Sequence, residues 1–255
     1  MKEIYEYKEM IFSLVRRDLK GRYKNSILGF FWTFLNPLLQ LLVYTFAFAV
    51  VMPMNIENYY MHLFVALVPW IFFASCLTGG ARAVIDQQEL VKKVYFPRHV
   101  LPIAFATSQF VNMLLTFVVV FVVLLISGIG IDLVKLCVFP LVAFIQYFLA
   151  MGVTLICSTI SVYYRDMEQI FGILSIGLMY ATPVVYSLES VPEEFRNALL
   201  LNPMTTIIVA YRDILFYKRM PDLQMLFITL LESLCILIIG WCIFAKMQKR
   251  FVEEF

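Results

Sequence analysis

Six long apolar stretches dominate the chain, at residues 27–52, 61–83, 100–126, 133–163, 170–188 and 223–245. Each reaches or exceeds the roughly 18–20 apolar residues that carry a helix across a hydrocarbon core of about 30 Å. Backbone amides in lipid are satisfied only within a helix or a closed barrel. Continuous apolar runs of this length exclude the short alternating strands of a barrel. The sequence therefore predicts an all-α integral membrane protein with six transmembrane helices, in a single domain over residues 1–255. Hydrophobic residues make up 62% and charged residues 15% of the 255, against about 45–50% and about 25% in soluble domains. Six spans leave no length for a sizeable soluble domain.

Lysines and arginines set the expected orientation. With six spans, both termini share a side. That side carries Lys2, Lys8, Arg16, Arg17, Lys20, Arg22, Lys24, Arg82, Lys92, Lys93, Arg98, Arg165, Lys246, Lys249 and Arg250; the other carries Lys135, Arg196, Arg212, Lys218 and Arg219. The positive-inside rule places both termini in the cytoplasm and the chain in the cell membrane. The net charge of +2 then reflects topology and implies no nucleic-acid partner. The first apolar run is far longer than a signal h-region, so no cleaved signal peptide is expected. Cys76, Cys137, Cys157, Cys235 and Cys242 are scattered without CxxC spacing, and are expected to be small buried hydrophobes.

Several segments outside the spans carry pattern. Within residues 1–26, Ile4, Tyr7, Ile11, Leu14, Val15 and Leu19 recur at helical spacing, with Arg16, Arg17 and Lys20 largely on other faces. This predicts an amphipathic helix at the cytoplasmic headgroup layer, the alternative being a purely topogenic basic flank. Pro37 predicts a kink in the first span. Gln40, one turn on, should face another helix or a cavity. The link at 87–99 presents Leu90, Val91, Val94, Tyr95 and Phe96 among charges, with Pro97 turning the chain back towards the membrane. An exposed apolar cluster suggests a protein docking surface, or else a short helix resting on lipid. Asp166 is a candidate cap for the fifth span. Between spans five and six, Ser190-Val191-Pro192-Glu193 has capping-box spacing, and Asn202-Pro203 reads as a second helix start. Two short apolar helices over 190–217 are expected to re-enter the outer leaflet.

Enzyme chemistry has little to stand on. The sequence has no GxxxxGK[ST] phosphate loop, no HExxH and no CxxC pair, so nucleotide hydrolysis of that kind and metal chemistry are not indicated. His62 and His99 fall near opposite membrane faces. Glu232 is the clearest charge inside a span, expected to bond a neighbouring helix. Trp32, Tyr59, Tyr60, Trp70, Tyr95, Tyr186 and Trp241 cluster towards span ends, as interfacial anchors or as the lining of a conduit. With Gln40 and Tyr44, the residues Trp32, Tyr59, Trp70 and Tyr186 are the channel-lining candidates.

A set of segments in fixed order resembles a known family. The order is a basic N-terminus, Leu28-Gly29-Phe30-Phe31-Trp32-Thr33-Phe34-Leu35-Asn36-Pro37-Leu38-Leu39-Gln40, then Lys92-Lys93-Val94-Tyr95-Phe96-Pro97-Arg98, Tyr164-Arg165-Asp166, and Leu201-Asn202-Pro203-Met204-Thr205. Over essentially the whole chain this is similar to the permease subunit of ABC-2 type exporters of polysaccharides, the O-antigen, teichoic acid and capsule group. The resemblance implies a homodimer of six-span subunits assembled with two copies of a separate ATPase, which would bind ATP and Mg; this chain would hold no cofactor. It implies that Leu90, Val91, Val94, Tyr95, Phe96 and Arg98 form a link coupling to the ATPase. It implies an outer gate including Pro192, Phe195, Asn202, Pro203, Tyr211 and Arg212. The implied substrate is a glycan or polyol-phosphate chain on a lipid pyrophosphate, for which Arg16, Arg17, Lys20, Arg22 and Lys24 are entrance candidates. Two other readings stay open: an ABC-2 permease for a small lipid or drug, and a membrane enzyme acting on lipid-linked sugars.

Overall fold

A computed structural model describes residues 6–21, 28–51 and 56–251. Arg22, Lys24 and the ends of the expected 27–52 span lie outside the described residues. The helices are α1 (Lys8–Gly21), α2 (Trp32–Thr45), α3 (Tyr59–Thr78), α4 (Gln88–Lys93), α5 (Val100–Ile126), α6 (Leu133–Leu136), α7 (Phe139–Tyr163), α8 (Met167–Tyr180), α9 (Glu193–Leu200), α10 (Pro203–Leu215) and α11 (Leu223–Met247). No strand occurs among the described residues.

Among the described residues, four helical stretches are long and apolar enough to cross a membrane: α3, α5, the α6–α7 stretch and α11. The remaining two expected spans are shorter helices. α2 has 14 residues and runs on as a π-helical turn, Phe46–Val51. It passes unbroken through the buried Pro37, which deprives the Thr33 carbonyl of its ladder partner. α8 also has 14 residues and stops at Tyr180, eight residues before the expected end of that span. Pro183 supplies the reason: it donates no N–H and disfavours helix at the residue before it.

α3 is the central helix. Fifteen of its 20 residues are buried, as befits a helix that is apolar on every face. α5, α7 and α10 pack around it. α1 lies across α5, with Val15 buried and Tyr7, Met10, Ile11 and Leu14 packed on the core. Its polar side chains reinforce the seat: the Arg17 guanidinium donates to Gln87 Oε1 at 2.8 Å, and the Ser108 hydroxyl donates to Asp18. α8 is the opposite case, with Phe171 its single buried residue.

Four local expectations change. Asp166 stands at the start of α8 without a side-chain cap bond. Ser190 does not cap α9, because its hydroxyl donates back to the Ser187 carbonyl at 2.7 Å in a separate turn, and Pro192 occupies the cap position. Of the five free cysteines, Cys76 and Cys157 are buried but Cys137, Cys235 and Cys242 are exposed. Their apolar surroundings are the outer faces of the bundle, where lipid rather than protein core explains the sequence. Glu232 is half-buried on α11 and has no hydrogen-bond partner among the described residues. At a polar turn, Asp132 caps α6 through Val134 N at 3.0 Å and binds Lys135 Nζ at 2.7 Å. The hydrogen bond from Lys135 holds its carboxyl below the usual carboxylate range.

α7 and α11 approach each other backbone to backbone. A Cβ on Gly152 would sit 2.7 Å from Leu237 N, and one on Gly240 would sit 2.6 Å from the Gly152 carbonyl oxygen. Small residues allow this backbone-to-backbone contact, which is how membrane helices gain dispersion energy without a hydrophobic driving force. Gly177 in α8 has nothing within 4 Å of such a Cβ. Gly152→Ala should therefore destabilise the protein by about 1–3 kcal/mol. Gly177→Ala should be neutral or stabilising, by up to about 1 kcal/mol. Thermal unfolding in detergent separates the two, and equal losses at both sites would refute the close-contact account.

Candidate functional site

Two regions concentrate polar chemistry, one at each end of the bundle. At the end carrying most of the lysines and arginines, a groove of about 870 Å³ lies between Tyr7, the link that follows α4, and Lys249 beyond α11. α4 is a short helix whose exposed Glu89–Lys93 pair closes at 2.7 Å. Val94 is extended, and the chain turns at Pro97 into α5.

The link residues divide into two sets. Val91 and Phe96 are buried core residues, 5% and 6% exposed, so they are not a docking surface. Leu90 is half-buried against the same core. Tyr95 is 99% exposed and Val94 49%. The chain leaves the helix at Val94, which is extended, and bends again at Phe96, so that Phe96 turns in while Tyr95 stays out. Arg98 is turned inward too: its guanidinium donates to the Gln248 carbonyl at the end of α11. Beside it, Tyr163 donates to the Met247 carbonyl at 2.9 Å. The link is thus bolted to α11, with one aromatic side chain left standing in the groove. Of the entrance candidates, Arg16, Arg17 and Lys20 are exposed on α1.

At the other end, the 190–217 pair is bent by 103°, and its halves differ. α9 has no buried residue, and Phe195 on it is 60% exposed. In α10, eleven of thirteen residues are buried. Asn202 caps α10 through Met204 N, Pro203 opens it, and Tyr211 anchors it. The Tyr211 ring stacks on Phe117 at 5.1 Å, and its hydroxyl donates to Gln146 Oε1 at 3.1 Å. Gln146 Nε2 in turn donates to the Pro69 carbonyl at 2.7 Å. This buried chain of bonds ties α10 to α7 and α3.

Arg212, expected as an outer gate charge, is 2% exposed. Its Nε donates to the His62 carbonyl at 3.1 Å, Nη1 to those of Pro183 and Tyr186 at 2.6 and 3.0 Å, and Nη2 to that of Val184 at 2.5 Å. The Tyr59 hydroxyl takes the remaining carbonyl, Val185, at 2.7 Å. Four consecutive carbonyls, 183 to 186, thus each receive a side-chain donor. The reason is backbone accounting: the chain after α8 is not helical, and its acceptors need other partners. A five-donor planar fork is the side chain suited to that task. Arg219, also in this region, pairs with Asp213 at 2.6 Å.

The channel-lining candidates scatter. Trp70 and Tyr59 are core residues, 4% exposed each, because α3 is central. Tyr44 reaches Met179 Sδ at 3.8 Å, and the Tyr186 hydroxyl donates to the Tyr180 carbonyl at 2.9 Å. Gln40 and Asn36 form a polar pair at 3.5 Å on an exposed part of α2. Trp32, at the start of α2, is half-buried. The sequence reading missed the carbonyl cradle and Gln146. The partners of Arg212 and Tyr211 are main-chain carbonyls and a glutamine on another helix, which no local pattern announces.

A bundle of long apolar helices, with a bent helix pair at one end and a basic groove at the other, is a multi-pass membrane protein. Residues 9–216 match the ABC-2 type transporter family, and the chain belongs to that family. It is 38% identical to the O-antigen export system permease protein RfbA of Myxococcus xanthus, over 100% of this chain and 98% of that protein. It is 32% identical to the O-antigen export system permease protein RfbA of Klebsiella pneumoniae, over 96% and 94%. The polysialic acid transport protein KpsM of Escherichia coli is 22% identical over 79% of each chain.

The divided link makes a direct prediction. Phe96→Ala should cost about 3–5 kcal/mol of stability, as for a buried ring, whereas Tyr95→Ala should stay within about 0.5 kcal/mol. Unfolding of both variants in detergent checks this; a large loss at Tyr95 would contradict its placement.

Proposed function

We propose that this chain is the transmembrane permease subunit of an ATP-driven exporter that moves a lipid-linked polysaccharide or teichoic-acid-type polymer out of the cytoplasm across the cell membrane. The observation that carries the reading is full-length similarity at 38% identity to an O-antigen export permease. The working assembly is a homodimer with two copies of a separate ATPase, which binds ATP and Mg and does the hydrolysis. Both termini are cytoplasmic.

Six crossings per subunit fit the geometry. α2 and its π-helical turn together have 14 and 6 residues, which approaches the about 20 that a span needs. The fifth crossing is α8 followed by the 183–186 tail, whose acceptors are supplied by Arg212 and Tyr59. Non-helical backbone is tolerated at membrane depth when protein covers it in this way.

The basic-end groove is the docking place for the ATPase. Tyr95 is its contact residue, and Arg98, fixed to α11, passes displacement of the link into the bundle. Exposed Arg16, Arg17 and Lys20 draw the anionic lipid head towards the cytoplasmic entrance. At the outer end, Pro192, Phe195, Asn202 and Pro203 belong to the gate.

The chain should co-purify with its ATPase from membranes. Tyr95→Ala should weaken that association about tenfold, the effect of losing one aromatic anchor of 1–2 kcal/mol, and lower export with it. Undiminished association in Tyr95→Ala would remove Tyr95 from the interface. Failure of any ATPase to associate with the unsubstituted chain would overturn the functional reading.

A further inference from the structure

Arg212 has no ion-pair partner among the described residues, although it is almost fully enclosed. Neighbouring Asp213 is committed to Arg219. A guanidinium without a carboxylate is costly in such a place, and its bonds go instead to four carbonyls on two separate pieces of backbone. His62 belongs to α3, and residues 183, 184 and 186 to the tail of α8. The other end of α10 holds the same tail, since Asn202 Nδ2 donates to Thr182 Oγ1 at 2.8 Å. α10 therefore grips one irregular stretch at both of its ends. Tyr59 fastens that stretch to α3, and Tyr211 fastens α10 to α7. α9 makes no such bond to α3, α7 or the tail: no residue of it is buried, and its Arg196 donates only to the Val191 and Glu189 carbonyls just before it, at 2.8 and 2.7 Å.

We infer that Arg212 is a positioning residue that welds α10, the 182–186 tail and the start of α3 into one outer body, leaving α9 as the arm free to swing at the exit. This divides the outer pair into a fixed seat and a moving arm, where a two-helix gate would move as a unit. Arg212 contacts no substrate in this role; it decides which backbone can open. The inference uses the export reading only for what the arm admits, and the seat itself is defined by the bonds above.

Amide hydrogen exchange of the full chain in nanodiscs tests it. In the unsubstituted protein, the Val184, Val185 and Tyr186 amides should be protected alongside α10, while α9 exchanges freely. Arg212→Lys keeps the charge but offers a compact ammonium that cannot span four carbonyls. It should raise exchange at residues 184–186 about tenfold or more, as expected for losing charge-assisted hydrogen bonds, and leave α7 amides near Gly152 unchanged. Thr182→Val, which removes the other grip, should raise exchange at the start of the tail alone. Wild-type exchange at 184–186 in Arg212→Lys would overturn the inference, because charge alone would then suffice. So would loss of protection in α10 and the tail when ATP is added to the unsubstituted chain with its ATPase. A chain that binds no ATPase would fail the functional reading, yet the exchange of the isolated protein would still decide the role of Arg212.

Discussion

Backbone polar groups inside hydrocarbon must find partners within the protein, and this molecule's irregular stretches are arranged around that demand. Most of the chain meets it by staying helical. The segment after α8 cannot, because Pro183 interrupts the ladder, and its carbonyls are served by Arg212 and Tyr59. That requirement places Tyr59 at the start of α3, seats α10 in the core, and turns a nominal surface arginine into the most deeply committed polar side chain at the outer end. The cost of enclosing a charge is offset by closing four acceptors with one side chain.

The basic end follows a different logic. The carbonyl end of α11 receives Arg98 of the link and Tyr163 of α7. These last carbonyls of a helix have no acceptor duty inside it. A cation and a hydroxyl placed there satisfy them and complement the helix dipole. The link is therefore fixed in height relative to α11, while its one exposed aromatic, Tyr95, is free to meet another surface. Family membership and full-length likeness to an O-antigen export permease mark the chain as a transmembrane subunit of a polysaccharide exporter.

Much of the helix layout was legible in the sequence because lipid exposes periodicity-free apolar length as the signal. α5 occupies Val100–Ile126, the stretch expected from composition, and α11 begins at Leu223 as expected. Asn202 also caps its helix as its position suggested. What could not be read depended on tertiary partners. Phe96 and Tyr95 are adjacent and both aromatic, yet the bend of the link puts one in the core and leaves the other exposed. Trp70 resembled an interfacial anchor until α3 proved to be surrounded. Arg212 was counted with the outer charges, since charge-counting has no term for an arginine whose partners are main-chain oxygens. Ser190 had the spacing of a cap, but a competing turn with Ser187 claimed its hydroxyl.

The glycine contact between α7 and α11 has a mechanical corollary. Side chains cushion most helix pairs, and a cushion can shear by rotamer exchange. Where Gly152 and Gly240 bring main chain against main chain, that lubrication is missing, and the two longest-bound helices behave as a single girder. Helices with little buried surface, α8 with one enclosed residue and α9 with none, lack any such lock.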